Sequence, residues 1–533
     1  MRFDEQYQSM PRLFLAAAER FPDLEAVVDG DRRITYPELA DLAVASTRAA
    51  MAAGLRPGDR AAVWAPNSAD WIVAALGILG AGGVLVTLNT RFKGTEAAYV
   101  LGKAGARLLF TVNGFLDVDY PTMLRGALVE TGTALPDLDA VVVLDGPVGD
   151  DTAFADYLAA GAAVSEADAR ARMESIAGDD PADIMFTSGT TGSPKGAVST
   201  HSQNLRVYEV WSEVVGLREG DRYLIVNPFF HGFGYKAGWF SSILRGATIV
   251  PLPVFDVPAV LETVQRERIS VLPGPPTLLS GILEAPGRDA YDLSSLRLTV
   301  TGAAVVPVEL IRRLRDEHIF ETIITGYGLT ETTGTVTMCR YDDDPETIAN
   351  FAGRAIPDIE VRVVDEAGTE VPRGEQGEVV TRGYHLMREY FGDPEATAAT
   401  IDADGWLHTG DIGIMDDRGY LRITDRLKDM YIVGGFNAYP AEIENLLLGD
   451  ERIAQVAVVG VPDERMGEVG MAFVVPRAGV TLTADEVVAW ARERMANYKV
   501  PRHVEICTEL PVNANGKVVK FELRAHARTV LGG

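Results

Sequence analysis

Two hydrophobic patterns take turns along the first two thirds of the chain. Short apolar runs without polar alternation recur as "RAAVWAP", "GVLVTLN", "RYLIVNPFF", "GATIVPLPVFD", "ISVLPGPP" and "LRLTVTG". Runs of this kind predict strands buried on both faces. Between them, the stretch around Trp71–Leu79, "AVLETVQRER" and "PVELIRRLRDEH" place apolar residues at helical spacing. Such strands joined by amphipathic helices predict mostly parallel sheets with helices on both faces, an α/β fold. Ligands of these sheets collect beyond the carboxyl ends of the strands. The glycine-bearing turns "TGAA" at Thr301–Ala304 and "TGYGLTE" at Thr325–Glu331 therefore mark where a site belongs.

After about Asp365 the pattern changes. "EVPRGEQGEVVTRG", "GWLHTGDIG" and "RGYLRITDRLKD" are short, turn-rich and strand-like, and predict a small β subdomain. From about Lys428 a smaller α+β unit begins, with strands at "AQVAVVGVP" and "MAFVVPR". A helix follows at "TADEVVAWARERM", where Thr483 and Glu486 have the spacing of a capping box. The expected organisation is a large body over residues 1–425 and a small mobile domain over 426–533.

A chain of 533 residues is long enough for at least two cores, and an apolar fraction of 47% is that of an ordinary globular protein. The formal charge of -27 excludes a general nucleic-acid binder, which needs basic faces. Any anionic ligand must be met by local positive groups. Cys339 and Cys507 stand too far apart in sequence for a disulfide framework or a zinc pattern, which favours a reducing, cytoplasmic setting. The start, "MRFDEQYQSM", lacks the apolar stretch of a secretory signal. The uncharged run Trp71–Leu88 imitates a membrane span, but "GAGG" at Gly80–Gly83 divides it into a short helix and a buried strand, so no integral membrane segment is expected. Nothing in the sequence sets an oligomeric state.

The chemistry-bearing stretch is "TSGTTGSPKG", Thr187–Gly196. It fails the strict P-loop pattern, because Pro194 stands where the second glycine belongs and Gly196 follows Lys195 in place of Ser or Thr. Its hydroxyls, backbone N–H groups and ammonium still suit a polyphosphate. A surface loop is the competing reading of this stretch taken alone.

Four more segments follow in order: "GYGLTE", "HTGD", "DRLKDMYIVGGFNAYPAEIE" and "PVNANGK". Together the five resemble the adenylate-forming superfamily of acyl-CoA synthetases, luciferases and peptide-synthetase adenylation domains. The resemblance runs from "ITYPELADLA" at Ile34 to "NGKVVKFEL" near the end of the chain. It implies attack of a carboxylate on the α-phosphate of ATP, with Mg2+ present and pyrophosphate leaving, followed by capture of the acyl-adenylate by a thiol. By the same resemblance Thr187, Ser188, Gly189, Thr190, Thr191, Gly192 and Lys195 close over the β- and γ-phosphates. Tyr327 stacks on adenine, flanked by Gly326 and Gly328; Thr330 meets the α-phosphate, and Glu331 binds Mg2+. Gly302, Ala303 and Ala304 form the wall shared by the adenine and acyl sites, and Asp411 with Arg426 holds the ribose hydroxyls. Lys517 resembles the lysine that serves the adenylation step in that superfamily. A hinge at Lys428 exchanges it for the "YIVGGFN" segment, whose Gly434 and Gly435 leave room for the pantetheine arm.

The acid is read from "NPFFHGFGYKAG". This stretch has no acidic residue to hold a substrate ammonium, which disfavours an amino acid. Phe230, His231, Phe233, Gly234 and Trp239 are expected to wall a bulky or cyclic apolar acid, with His231 near the reacting carboxylate or else packed as a structural histidine. Lys236 is expected either to pair with a second polar group on the acid or to face solvent. With "VLPGPPT" and "TGAAVVPVELI", the stretch resembles actinobacterial ligases for propanoate side chains on steroid-derived rings, which implies a ring-bearing or medium-chain acid. Coenzyme A is the expected acceptor, and the small-molecule carboxylic acid the expected partner. An adenylation enzyme serving a carrier protein, and a non-catalytic nucleotide- or acyl-binding sensor, stay open as alternatives.

Overall fold

The computed structural model describes residues 2–187, 194–302, 306–426, 429–433, 436–463, 465–495, 497–512 and 517–531. These divide into two compact units, one made of the described residues up to 360 with 382–407, the other of 361–381 with those from 408 onward.

An eight-stranded sheet lies at the centre of the first unit. Its strands run in the order Glu389–Tyr390, Lys195–Thr200, Pro181–Thr187, Val84–Thr87, Arg60–Trp64, Ala106–Thr111, Ala140–Val143 and Thr152–Ala153. From Pro181–Thr187 onward every pairing is parallel; the two strands on the other side join antiparallel. The run that imitated a membrane span is the helix Ala69–Gly80 followed by the strand Val84–Thr87. Ser68 caps the helix through the Trp71 N–H, and every residue of it except Asp70 is buried. Among the described residues, no helix is long and apolar enough to cross a membrane.

Arg222–Ile225, Thr248–Pro251, Glu25–Asp29 and Arg32–Thr35 form one four-stranded sheet; Leu298–Gly302, Thr322–Tyr327, Thr337–Met338 and Arg354–Ala355 form another. The strand expected at "ISVLPGPP" shrinks to a single residue. Val271 bridges in parallel to Tyr223 on one side and Leu298 on the other, stitching the two sheets together. Pro273, Pro275 and Pro276 follow it, and prolines have no N–H to extend a ladder. The helices expected around "AVLETVQRER" and "PVELIRRLRDEH" form as Val257–Glu267 and Val308–Asp316.

The second unit holds most of the four-stranded sheet of Glu360–Val364, Gln376–Arg382, Leu407–Met415 and Leu421–Arg426, whose last two strands pair antiparallel, and a five-stranded sheet around Ile453–Asp463 and Gly467–Pro476. The latter packs on the helices Pro440–Leu447 and Lys520–Leu531 around its own core, which includes Tyr431, Phe473 and Val487. The helix Ala484–Arg492 begins with the expected capping box, Thr483 and Glu486 each bonding the other's backbone N–H.

Candidate active site

In the first unit, the strands Pro181–Thr187 and Lys195–Thr200 are the two arms of an antiparallel pair that places Thr187 opposite Lys195. The Thr187 hydroxyl donates to the Lys195 carbonyl at 3.3 Å. Ser188, Gly189, Thr190, Thr191 and Gly192 lie outside the described residues. Lys195 is exposed, and its Nζ stands 5.1 Å from the centre of the Tyr390 ring, within reach of a cation–π contact.

The strands Leu298–Gly302 and Thr322–Tyr327 run parallel in a register that sets Gly302 beside Gly326, at the carboxyl ends where a ligand belongs. Ala303 and Ala304 lie outside the described residues. Tyr327 ends its strand partly exposed, and Thr330–Thr332 follows as one turn of 3-10 helix. The Leu329 N–H donates to Thr332 Oγ1 at 2.9 Å. Thr333 closes the turn in the left-handed region at φ 52, a conformation costing a non-glycine residue about 1–2 kcal/mol. Tyr208 Oη donates to its carbonyl at 2.8 Å, and its own hydroxyl donates to the His385 carbonyl at 2.9 Å.

Gly328 belongs to this scaffold in a way its assignment to the nucleotide site does not express. A Cβ there would lie 2.2 Å from the Gly334 carbonyl oxygen, so only glycine lets the turn fold back on itself. Thr330 and Glu331 are carried, partly exposed, on the outcome of that fold. Glu331 Oε1 accepts a hydrogen bond from Tyr390 Oη at 2.8 Å, and the Glu331 carbonyl accepts from the Met387 N–H at 2.7 Å. The structure thus brings Lys195 and Glu331 of the sequence-derived set around Tyr390, a residue the motifs do not mark, with Thr187 one strand further away, opposite Lys195. Tyr390 sits on a strand of two residues, too short to leave a pattern in the sequence.

The expected acyl wall changes. Gly232 is followed by a π-helix, Phe233–Phe240, wound i to i+5 instead of i to i+4. Trp239 is fully buried, stacked on Tyr235 at 4.9 Å and edge-on to Trp71 at 6.0 Å, so it belongs to the core and does not line the acid site. Gly234 is buried as well. A Cβ on it would lie 2.3 Å from the Asn227 and Pro228 carbonyl oxygens, so it serves close backbone approach. Phe230 and Phe233 stay partly exposed. His231 is exposed, which sets aside the packed structural histidine, and its Nδ1 lies 3.3 Å from the Phe233 N–H that donates to it. Asn67, which carries no sequence signal, holds this segment. Its amide donates to the carbonyls of Ile225, Asn227 and Leu252, and its Oδ1 accepts from the Phe229 N–H at 2.7 Å.

Lys236 overturns both expectations for it. It neither faces solvent nor reaches for the acid: only 2% of its side chain is exposed, and Nζ pairs with Asp183 Oδ1 at 2.8 Å. Ser199 Oγ accepts from the same ammonium at 3.0 Å, and Asn204 Nδ2 donates to the other Asp183 oxygen at 2.7 Å. Burial pulls the lysine pKa down, and the Asp183 carboxylate opposes that shift. Asp183 and Ser199 lie on the two arms that carry Thr187 and Lys195, so the ion pair fastens the π-helix to both arms.

In the second unit, antiparallel pairing sets Asp411 directly opposite Arg426. Asp411 is buried, and its N–H donates to Thr409 Oγ1 at 3.1 Å. Glu378 steadies the approach, accepting from the Gly410 N–H at 3.1 Å and meeting His408 Nδ1 at 2.9 Å. Asp425, beside Arg426, has a structural role. Its Oδ2 accepts from the Ala441 N–H at 2.8 Å and caps the helix Pro440–Leu447. Lys517 is exposed and stands next to Val518, which bridges to Val512. Lys428, Gly434 and Gly435 lie outside the described residues.

Among the described residues, no three His, Cys, Asp or Glu side chains gather to hold a metal ion. That fits Mg2+, which keeps several waters and is bound by one or two carboxylates together with substrate phosphates. Glu331 offers such a carboxylate, with Oε1 engaged by Tyr390.

Comparison with known proteins identifies the family. Residues 14–391 match the AMP-binding enzyme model and residues 442–517 the AMP-binding enzyme C-terminal domain. A Rhodococcus jostii protein named as the CoA ligase of a 7a-methyl-1,5-dioxo-octahydro-1H-inden-4-yl propanoyl group is 50% identical over 525 residues, covering 98% of this chain and 99% of its own. Its Mycobacterium tuberculosis namesake is 47% identical over 518 residues, covering 97% and 98%. Among solved structures, the anthranilate CoA ligase AuaEII in complex with anthranoyl-AMP matches with a TM-score of 0.86 at 27% identity over 100% of both chains. ATP-bound MatB from Rhodopseudomonas palustris matches with a TM-score of 0.82 at 29% identity, over 98% of this chain and 99% of its own.

Proposed function

Since the chain belongs to the AMP-binding enzyme family and is an ATP-dependent acid:CoA ligase, we propose that its acid is a propanoate carried on a fused, methylated ring system. The observation that carries this substrate class is the 50% identity over nearly the full length of a ligase named for such an acid. Phe230 and Phe233, partly exposed on either side of His231, supply apolar surface suited to a ring body.

The reaction divides into two displacements. A carboxylate oxygen forms a bond to the α-phosphorus of ATP while the bond to the bridging oxygen breaks and pyrophosphate leaves. The coenzyme A sulfur, having lost its proton, then bonds to the acyl carbon and AMP leaves. Both steps gather negative charge at atoms that need fixed positive groups, and removing one such donor typically costs about 10²–10³ in rate. Glu331, together with the phosphates, would hold Mg2+, which would supply charge neutralisation on the triphosphate.

The protein's own groups do the rest. Lys195, with Thr187 and the residues 188–192 between them, meets the β- and γ-phosphates. Tyr327 stacks on adenine beside Gly326 and Gly328, and Gly302 with Ala303 and Ala304 keeps the shared wall thin. Thr330 meets the α-phosphate, and His231 lies near the reacting carboxylate. Asp411 and Arg426, opposite one another in their hairpin, hold the ribose diol. Lys517 places its ammonium by the attacking carboxylate in the first step, and Gly434 and Gly435 admit the pantetheine arm in the second. The functional division falls at 425/426, with Lys428 as hinge. The reaction belongs in the cytoplasm, where ATP, coenzyme A and reduced thiols coexist; Cys339 and Cys507 are both free.

Pyrophosphate release measured across short, medium, long, aromatic and fused-ring acids, with and without coenzyme A, tests the proposal. The expected result is highest kcat/KM for a fused-ring propanoate, with its acyl-CoA accumulating. A higher kcat/KM for a straight medium-chain acid would overturn the substrate class.

A further inference from the structure

Tyr390 stands where three separate stretches of the first unit meet. Its strand, Glu389–Tyr390, pairs antiparallel with Lys195–Thr200 so that Tyr390 faces Ala197. Lys195 is two residues before Ala197 and so is a diagonal neighbour of Tyr390 on the same face, which is how its ammonium comes to lie over the ring. The Phe391 N–H donates to the Gly196 carbonyl at 2.7 Å and locks that register. On its other side the chain is tied to the turn bearing Glu331, through the Met387 N–H and the Tyr390 hydroxyl. Thr397 Oγ1 accepts from the Tyr390 N–H at 2.9 Å, so the strand is held from a third direction. Tyr390 is 7% exposed, which leaves its ring little freedom to turn.

We propose that Tyr390 is the positioning residue for two charged groups at once, its hydroxyl orienting the Glu331 carboxylate toward Mg2+ and its ring face holding the Lys195 ammonium toward the β- and γ-phosphates. The inference rests on the assignment of Glu331 and Lys195 given above. The Tyr390 phenol O–H donates to Glu331 Oε1 at 2.8 Å. One carboxylate oxygen is thereby occupied, leaving the other for the metal. A hydrogen bond to a metal-binding carboxylate typically carries about 10–100-fold in metal affinity. A cation–π contact at an exposed ammonium is worth about two- to fivefold.

The two roles separate by substitution. Tyr390→Phe keeps the ring and removes the hydroxyl; Tyr390→Leu removes both. The measurement is the dissociation constant of the full-length protein for ATP, by isothermal titration calorimetry, with Mg2+ and with EDTA. In the wild type Mg2+ tightens ATP binding by some factor. Tyr390→Phe is expected to cut that factor about tenfold or more while leaving the EDTA constant within about twofold of wild type, because the Lys195 contact persists. Tyr390→Leu is expected to show the same loss and, in addition, an EDTA constant weaker by about two- to fivefold.

Glu331→Gln serves as the reference. If Glu331→Gln abolishes the Mg2+ factor and Tyr390→Phe leaves it intact, the positioning role fails and the metal assignment stands. If Glu331→Gln itself keeps the factor, the metal assignment fails and takes this inference with it. Equal weakening with and without Mg2+ in Tyr390→Phe would mark the tyrosine as a packing residue and overturn the proposal. Far-ultraviolet circular dichroism matching the wild type confirms that the variants being compared are folded.

Discussion

Replacing Lys236 by methionine gives the most direct measure of how the π-helix Phe233–Phe240 is fastened to the strands Pro181–Thr187 and Lys195–Thr200. Methionine nearly matches the lysine stem in volume but has no charge. The change leaves Asp183, with 0% exposure, facing the gap without its cation, the Asn204 amide still on its second oxygen. Breaking a buried pair from one side costs about 3–5 kcal/mol, because an uncompensated charge stays behind. At about 4 kcal/mol, an unfolding entropy of about 2.1 cal/mol/K per residue over the roughly 380 residues of the first unit lowers its Tm by about 5 °C.

Removing both charges removes the penalty. In Lys236→Met/Asp183→Asn the amide still meets Asn204, and neither charge of the pair remains. Double-mutant coupling of at least about 2 kcal/mol is expected, with the double variant more stable than Lys236→Met alone. The assay is urea unfolding followed by tryptophan fluorescence. Of the six tryptophans, Trp64, Trp71, Trp211, Trp239 and Trp406 lie in the first unit and only Trp490 in the second, so the signal follows the unit that holds the pair. This matters because a chain of two units need not unfold in one step. Lys236→Met costing under about 1 kcal/mol, as at a solvent-facing site, would refute the reasoning. So would additive single effects, which mark residues that do not interact.

The other expectations follow from separate features. Burial holds the His201 pKa at about 4, against 6.5 for a free imidazole and despite the opposing Asp180 carboxylate. The unfolded chain therefore takes up this proton first as pH falls. Stability attributable to His201 is complete above about pH 6.5, and about 3 kcal/mol of it is lost by pH 4. In urea unfolding at pH 7 and pH 4.5, His201→Gln should show a smaller acid-induced loss than wild type; an equal loss would rule the imidazole out as a contributor. Gly328→Ala, whose new methyl would sit 2.2 Å from the Gly334 carbonyl oxygen, should shift the Thr330–Thr332 turn and lower kcat/KM for pyrophosphate release about 10²-fold; a change under about twofold would show that the turn tolerates the methyl. Lys517→Ala should slow adenylate formation about 10²–10³-fold while sparing thioester formation from supplied acyl-adenylate, and equal losses in rapid-quench assays of the two steps would remove its assigned role.

What can be read from the sequence divides along physical lines. Parallel strands buried on both faces announce themselves as apolar runs, and the capping box at Thr483 is local by nature, so both are visible without the fold. Val271 shows the limit of the first rule: its run is apolar enough for a strand, but the prolines after it withhold the N–H groups that a longer ladder would use. The five motifs mark Thr187, Lys195, Tyr327 and Glu331 as candidates. They cannot reveal Tyr390, because the pairing that brings it to Glu331 and Lys195 occupies two residues and joins distant parts of the chain.

Lys236 defeats a sequence reading for a different reason, one that also bears on how the site is built. A lysine among glycines and aromatics looks solvent-facing or ligand-facing when the segment is taken as a loop or an ordinary helix. The π-helix Phe233–Phe240 changes the angular step between residues, so the face assigned by a 3.6-residue period is wrong throughout it. The wider turn carries Lys236 inward to Asp183 and Ser199 while Trp239 joins the core with Tyr235 and Trp71. What is left partly exposed in this segment is Phe233, just after His231. One change of helical winding therefore decides two things together: which aromatics stay partly exposed, and that the segment presenting them is bonded to the strands presenting Thr187 and Lys195. A substitution that restored regular α-helical winding here would disturb the partly exposed Phe233 and the strands carrying Thr187 and Lys195 as one unit, even though the two sets of residues share no motif.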